Sequence, residues 1–148
     1  MPAVNAGAAQ AWFIAGTIPF ILAGGLHALA ALRDTVRPTY FAPIERSVKP
    51  VVEGTGIRLV GRATPSMWRV WLGINITFGL GILTFGLLCL LIATHDFNLV
   101  ERIDAIRPLT IAFSTALLAV SLRFFFYGPV IITATATACF TVATLLSA

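Results

Sequence analysis

Residues 70–94 read VWLGINITFGLGILTFGLLCLLIAT, without a single charged side chain. A helix rises about 1.5 Å per residue, so this stretch can cross a hydrocarbon layer about 30 Å thick. Three more apolar stretches of comparable length accompany it. The sequence therefore predicts an all-α fold, a four-transmembrane-helix bundle, with spans at about 11–32, 68–94, 106–126 and 129–147.

The composition fits lipid better than water as the surrounding medium. Of the 148 residues, 58% are hydrophobic and only 11% are charged, whereas soluble domains carry about a quarter charged residues. Four spans use most of the chain, which predicts a single integral membrane domain, residues 1–148. Residues 1–10 contain no Lys or Arg, so we expect the first apolar stretch to be a retained span and not a cleaved signal peptide.

The basic residues predict the orientation in the membrane. Eight of the ten Lys and Arg residues lie in or beside the first loop, residues 33–67, or at Arg123 before the third loop. Because cytoplasmic loops carry the excess of basic residues, loops one and three are expected in the cytoplasm and both termini outside. The net charge of +4 is then a topology signal, and no nucleic-acid partner is predicted.

The first loop carries a short amphipathic pattern. Ile44, Val48 and Val51 recur at helical spacing among charged residues, which predicts a short interfacial segment on the membrane surface between the first two spans. Thr64 is the expected N-cap of the second span.

Two rows of small residues are candidates for helix packing. They are Gly73, Thr77 and Gly81 in the second span, and Thr133, Thr137 and Thr141 in the fourth. Small residues let helices approach closely in a membrane. For the threonines we expect each hydroxyl to bond a carbonyl one turn back; the alternative is a polar conduit.

One polar cluster is predicted inside the spans, where ionisable side chains often mark function. Helix length places His27, Asn75 and Arg123 at one depth on the cytoplasmic side. Other candidates for the cluster are Asp34 or Glu45 as counter-charge, with Tyr40 and Tyr127 nearby. The structural alternative is that Arg123 reaches the interface and His27 bonds a backbone carbonyl.

Cofactor chemistry finds little support. His95 lies at the opposite end of its span from His27, which disfavours a bis-histidine haem within one chain. No second ligand accompanies His27 within the spans, so no metal is predicted. Cys89 and Cys139 differ too much in expected depth for a disulfide. No cofactor is predicted, although a quinone or lipid remains possible, and the lack of catalytic motifs disfavours an enzyme.

The layout resembles small bacterial four-helix membrane proteins of the DoxX-like group. The similar segments are Gly25-Leu26-His27, Arg33-Asp34, residues 38–43 (PTYFAP), residues 67–75 (MWRVWLGIN), and Arg123 followed by aromatic residues and Pro129. The resemblance implies a four-helix bundle in a bacterial inner membrane. It implies no activity and no catalytic residues.

Three functional hypotheses follow. The first is an accessory or structural subunit that packs against a larger membrane complex or against its own copies, with membrane lipids and other subunits as partners. The second is a binder or enzyme for a lipophilic molecule, a quinone or lipid, at the inner-leaflet side. An oligomeric small transporter is third, because the spans supply few polar residues to line a pore.

Overall fold

The computed structural model of the protein describes residues 2–58 and 64–147, and side chains from Ala6 onward. The described chain is helical, and its one extended pairing is an isolated antiparallel bridge between Gly56 and Ser66. Arg62, counted above among the basic residues of the first loop, lies outside the described residues. The helices are α1 (Pro2–Asp34), α2 (Val48–Gly54), α3 (Met67–His95), α4 (Asn98–Arg102), α5 (Ile106–Phe124) and α6 (Tyr127–Leu146).

Four of these helices are long and apolar enough to cross a membrane. The candidate spans are Ala6–Asp34, Met67–His95, Ile106–Phe124 and Tyr127–Leu146. The prediction of an all-α fold with four apolar helices is confirmed. The expected bounds shift by two residues or fewer, except that α1 begins at Pro2, nine residues before the expected start at residue 11. The short helix α4 was not predicted.

The turn between α5 and α6 explains one of these shifts. Phe125 and Phe126 are extended, with ψ of 174° and 179°, so α5 ends before them. Helix α6 begins at Tyr127, two residues before Pro129. Proline is tolerated there because the first-turn N–H groups of a helix have no helical acceptor.

The start of α3 differs from its prediction. The helix begins at Met67, and the Ser66 Oγ accepts a hydrogen bond from the backbone N–H of Arg69 at 3.4 Å. Ser66 is thus the N-cap, and the expectation of Thr64 was wrong. The bridge to Gly56 holds the backbone of Ser66 extended, so the helix begins only after it.

The chain forms two compact units, one from the chain up to Ala23 together with Ile82 onward, the other from Gly24 to Gly81. In the first unit a core of phenylalanines joins four helices. Phe20 of α1 packs against Phe85 of α3 at 5.7 Å and Phe113 of α5 at 6.0 Å between ring centroids. The ring of Phe140 of α6 lies 6.3 Å from that of Phe20. Aromatic packing of this kind adds about 0.5–1.5 kcal/mol per pair beyond burial.

Close helix approach and capping complete this unit. A methyl group on Gly86 of α3 would lie 2.9 Å from the Ile21 side chain, so glycine is what allows α1 to come near. The Gln10 amide donates to the carbonyl of Ala93 at 2.7 Å. That carbonyl lies in the last turn of α3, where carbonyls lack helical partners.

The threonines of α6 use the helix's own carbonyls. The hydroxyls of Thr133, Thr137 and Thr141 donate to the carbonyls of Pro129, Thr133 and Thr137, each at 2.8 Å. This is the arrangement expected from the sequence, and it occupies the hydroxyls within the helix. Cys89 and Cys139, in the same unit, are buried free thiols.

The outer surface of the helices is apolar. Leucines that expose 60% or more of their surface recur along them, namely Leu22, Leu26, Leu29, Leu91, Leu109, Leu122 and Leu145. Water would make so much exposed apolar area unfavourable, whereas lipid tails make it compatible with stability. The helices and their surface are those of a multi-pass membrane protein.

Candidate functional site

The second unit contains the polar pair that the sequence singled out. His27 lies in α1 and Asn75 in α3, and the His27 Nε2 donates to the Asn75 Oδ1 at 3.2 Å. The Asn75 Nδ2 donates to the carbonyl of Trp71 at 2.8 Å. Two of the three residues predicted to meet are therefore brought together, and Asn75 is buried.

Aromatic rings surround the imidazole. The ring of Phe41, from the loop after α1, lies 4.8 Å from that of His27 and meets it edge-on. The ring centroid of Phe78 in α3 lies 5.4 Å from that of His27, again with an edge-on arrangement. Phe78 was missed in the sequence analysis, although its position three residues after Asn75 places both on one helix face.

Asp34 organises the loop that delivers Phe41. Its fully buried carboxylate accepts hydrogen bonds from the backbone N–H groups of Thr39, Tyr40 and Phe41, the shortest at 2.7 Å. Charged acceptors make such bonds strong. The carboxylate thus holds the backbone of residues 39–41 against the end of α1. Its predicted role as a counter-charge stays a prediction.

The remaining members of this site tie the loop to both helices. The Trp71 indole N–H donates to the carbonyl of Phe41 at 3.2 Å, and the Arg33 guanidinium donates to the Tyr40 hydroxyl at 2.7 Å. A closed set of contacts results, from Asp34 to Phe41, from Phe41 to His27 and Trp71, and from these to Asn75. We call Asp34, Phe41, His27, Trp71 and Asn75 the α1–α3 clasp.

Arg123 and Tyr127 belong to the first unit, at the turn between α5 and α6. The Arg123 guanidinium lies 5.3 Å from the ring centroid of Phe124. Tyr127 is 85% exposed. Their predicted share in the polar cluster stays a prediction, and aromatic residues with a basic neighbour are typical of a membrane interface.

The predicted packing row of α3 faces outward. Gly73, Thr77 and Gly81 are all exposed, and a methyl group added at either glycine would meet no atom within 4 Å. Gly79 of α3 does pack, because a methyl group there would lie 2.6 Å from the backbone nitrogen of Ala28 in α1. Gly79 therefore lies on a different face of α3 from Gly73, Thr77 and Gly81.

A shallow groove lies in the first unit near the end of α3. It has a volume of about 480 Å³ and is lined by Leu91, Ile92, Thr94, His95 and Leu99. Within the described part of the chain, no three His, Cys, Asp or Glu side chains group as metal ligands would. Comparison with protein-family models, curated proteins and solved structures finds no match.

Proposed function

We propose that this chain is a small subunit of a bacterial inner membrane, similar to DoxX-like proteins, that works by helix packing. It would serve an accessory or structural role, against a larger membrane complex or against its own copies. The proposal includes an orientation with loops one and three in the cytoplasm. Eight of ten basic residues in or beside those loops support it.

The observation that carries the proposal is the outward row of Gly73, Thr77 and Gly81. Spacing at four residues puts the three on one face of α3. Small residues at this spacing allow another helix to come close, which is a main source of association in lipid. The chain uses Gly79 for its own packing, so the outward row is available to a helix from another molecule.

The test is to fill the row with bulk. We expect Gly73→Leu with Gly81→Leu to weaken association by about 1–3 kcal/mol, the usual cost of forcing extra volume into a packed contact. Blue-native electrophoresis of mildly solubilised membranes should show the wild-type chain in a larger species and the variant mostly as a monomer. Because both positions are open, the fold itself should survive.

Gly7→Leu is the matched control, because Gly7 is also an exposed helical glycine with open space around it. It should leave the larger species intact. Ile74→Cys, beside the row and 59% exposed, identifies the partner: oxidation gives a covalent dimer if the partner is a second copy. A wild-type chain that migrates as a monomer and forms no cross-link in native membranes would refute the proposal.

A lipophilic ligand, a quinone or lipid, is the second candidate. It draws support from His27, a partly exposed imidazole between aromatic rings. It ranks lower because the Nε2 of that imidazole already bonds Asn75. Mass spectrometry of gently purified protein tests this candidate. It requires that one lipophilic molecule be retained by the wild-type chain and lost from the His27→Leu variant.

A further inference from the structure

The first connector, residues 35–58 and 64–66, is held against the ends of α1 and α3. Its Phe41 ring contacts His27, which lies seven residues before the end of α1 at Asp34. The backbone of Phe41 lies at the end of α1, where its N–H donates to the Asp34 carboxylate, and its ring reaches back along the helix toward His27. The Trp71 bond to the Phe41 carbonyl fixes it to α3 as well.

The far end of the connector is fixed in the same way. The backbone N–H of Met67 donates to the carbonyl of Thr55 at 2.8 Å, and that of Ile57 to Pro65 at 2.9 Å. Helix α2 between these anchors has no buried residue. Helix α2 therefore presents its side chains outward, while the two ends of the connector stay beside the ends of α1 and α3.

Exposed apolar side chains occur along this connector. Val36 is 81% exposed, Val51 is 64% exposed and Ile44 is fully exposed. Such residues are unfavourable in water but favourable at the boundary between headgroups and acyl chains. The clasp holds the start of the connector beside the ends of α1 and α3.

The charges on the connector are unbalanced. The carboxylate of Asp34, at the end of α1, accepts hydrogen bonds from backbone N–H groups. Glu53 pairs with Lys49 at 2.6 Å. Arg37, Arg46 and Arg58 are exposed, and the ion pairs of the described chain involve other basic residues. Glu45 is the remaining exposed acid of the described connector, so the surface of the connector is basic.

We propose that the first connector is a binding surface for anionic phospholipid headgroups. Arg37, Arg46 and Arg58 contact lipid phosphates, while Val36, Ile44 and Val51 enter the upper acyl region. Charge complementarity and exposed apolar side chains together favour a lipid leaflet over an acidic protein, because only the leaflet offers both chemistries along the whole connector. Each basic residue near an anionic leaflet favours binding about fivefold.

The experiment uses the full chain purified with a mixture of phosphatidylglycerol and phosphatidylcholine. Native mass spectrometry should show phosphatidylglycerol retained in preference, and less so as salt rises. The variant Arg37→Gln, Arg46→Gln, Arg58→Gln should lower retained phosphatidylglycerol at least fivefold. Because all three side chains are exposed, thermal unfolding should not change.

Two controls separate charge from structure. Replacing the same three residues by Lys keeps the charge and should keep the lipid. Arg102→Gln, outside the connector and paired with Asp96, should have no effect. No preference for phosphatidylglycerol, or equal retention by the Gln variant, would overturn the proposal. So would capture of an acidic protein by the connector while phosphatidylglycerol shows no preference.

This test is independent of the proposed packing function. The variant Gly73→Leu with Gly81→Leu should keep the preference for phosphatidylglycerol, because those glycines lie on α3 and not on the connector. Loss of association in that variant and loss of lipid in the Gln variant would therefore report on two different surfaces.

Discussion

At the scale of single residues, the clasp shows how one carboxylate can organise a membrane loop. Asp34 accepts from three consecutive N–H groups that would otherwise need another hydrogen-bond acceptor. The bonded backbone then presents Phe41 to His27. The polar pair of His27 and Asn75 is satisfied within this arrangement, so burial of Asn75 costs little.

Removing the Asp34 carboxylate should release the loop. We expect Asp34→Ala to destabilise the protein by about 2–4 kcal/mol, because three N–H groups lose a charged acceptor. Limited chymotrypsin digestion should then cut faster after Tyr40, within the freed turn. The digestion rate of Asp34→Asn should lie between those of the wild type and Asp34→Ala, because its amide keeps one oxygen acceptor. Glu45→Ala, an exposed acid of the same loop, should digest like wild type; equal digestion of Asp34→Ala would contradict this role.

At the scale of elements, α3 carries two glycine surfaces with different uses. Gly79 faces α1 and allows the backbones to meet, whereas Gly81 faces outward. Sequence spacing pointed to the row that contains Gly81, because small residues at four-residue intervals predict close packing. It does not indicate which face meets α1, since that depends on the rotation of α3 about its axis.

The different surroundings of Gly79 and Gly81 predict different effects of a Gly→Ala substitution on stability. Gly79→Ala should destabilise the fold by about 1–3 kcal/mol, because the new methyl group would meet backbone atoms of Ala28 at 2.6 and 2.9 Å, which cannot move aside as a side chain can. Gly81→Ala should be neutral or slightly stabilising, since it meets nothing and favours helix. Unfolding of purified protein in SDS measures both; equal midpoints for the two variants would disprove the assignment of faces.

At the scale of the whole molecule, charge distribution along the chain predicts how the spans cross the membrane. An even number of spans puts both termini on one side, and the basic connector is expected on the other. Cys89 and Cys139 are buried, so an introduced surface cysteine can be labelled over a low background.

Thiol labelling in cells therefore tests the orientation. Ser47→Cys, in the connector, should react with a membrane-impermeant maleimide only after the membrane is opened. Ile103→Cys, between α4 and α5 and 48% exposed, should react in intact cells. Labelling of Ser47→Cys from outside would reverse the proposed topology.

The sequence by itself determined the fold class, the four spans apart from the start of the first, and a shared depth for His27 and Asn75. Hydropathy and helical rise are local properties, and they suffice for these. Only the tertiary structure decided that Asp34 binds backbone N–H groups, that Ser66 caps α3 and that Gly79 packs inside while Gly81 faces out. Those outcomes depend on how the backbone bends after α1 and how each helix is rotated, which no local pattern encodes.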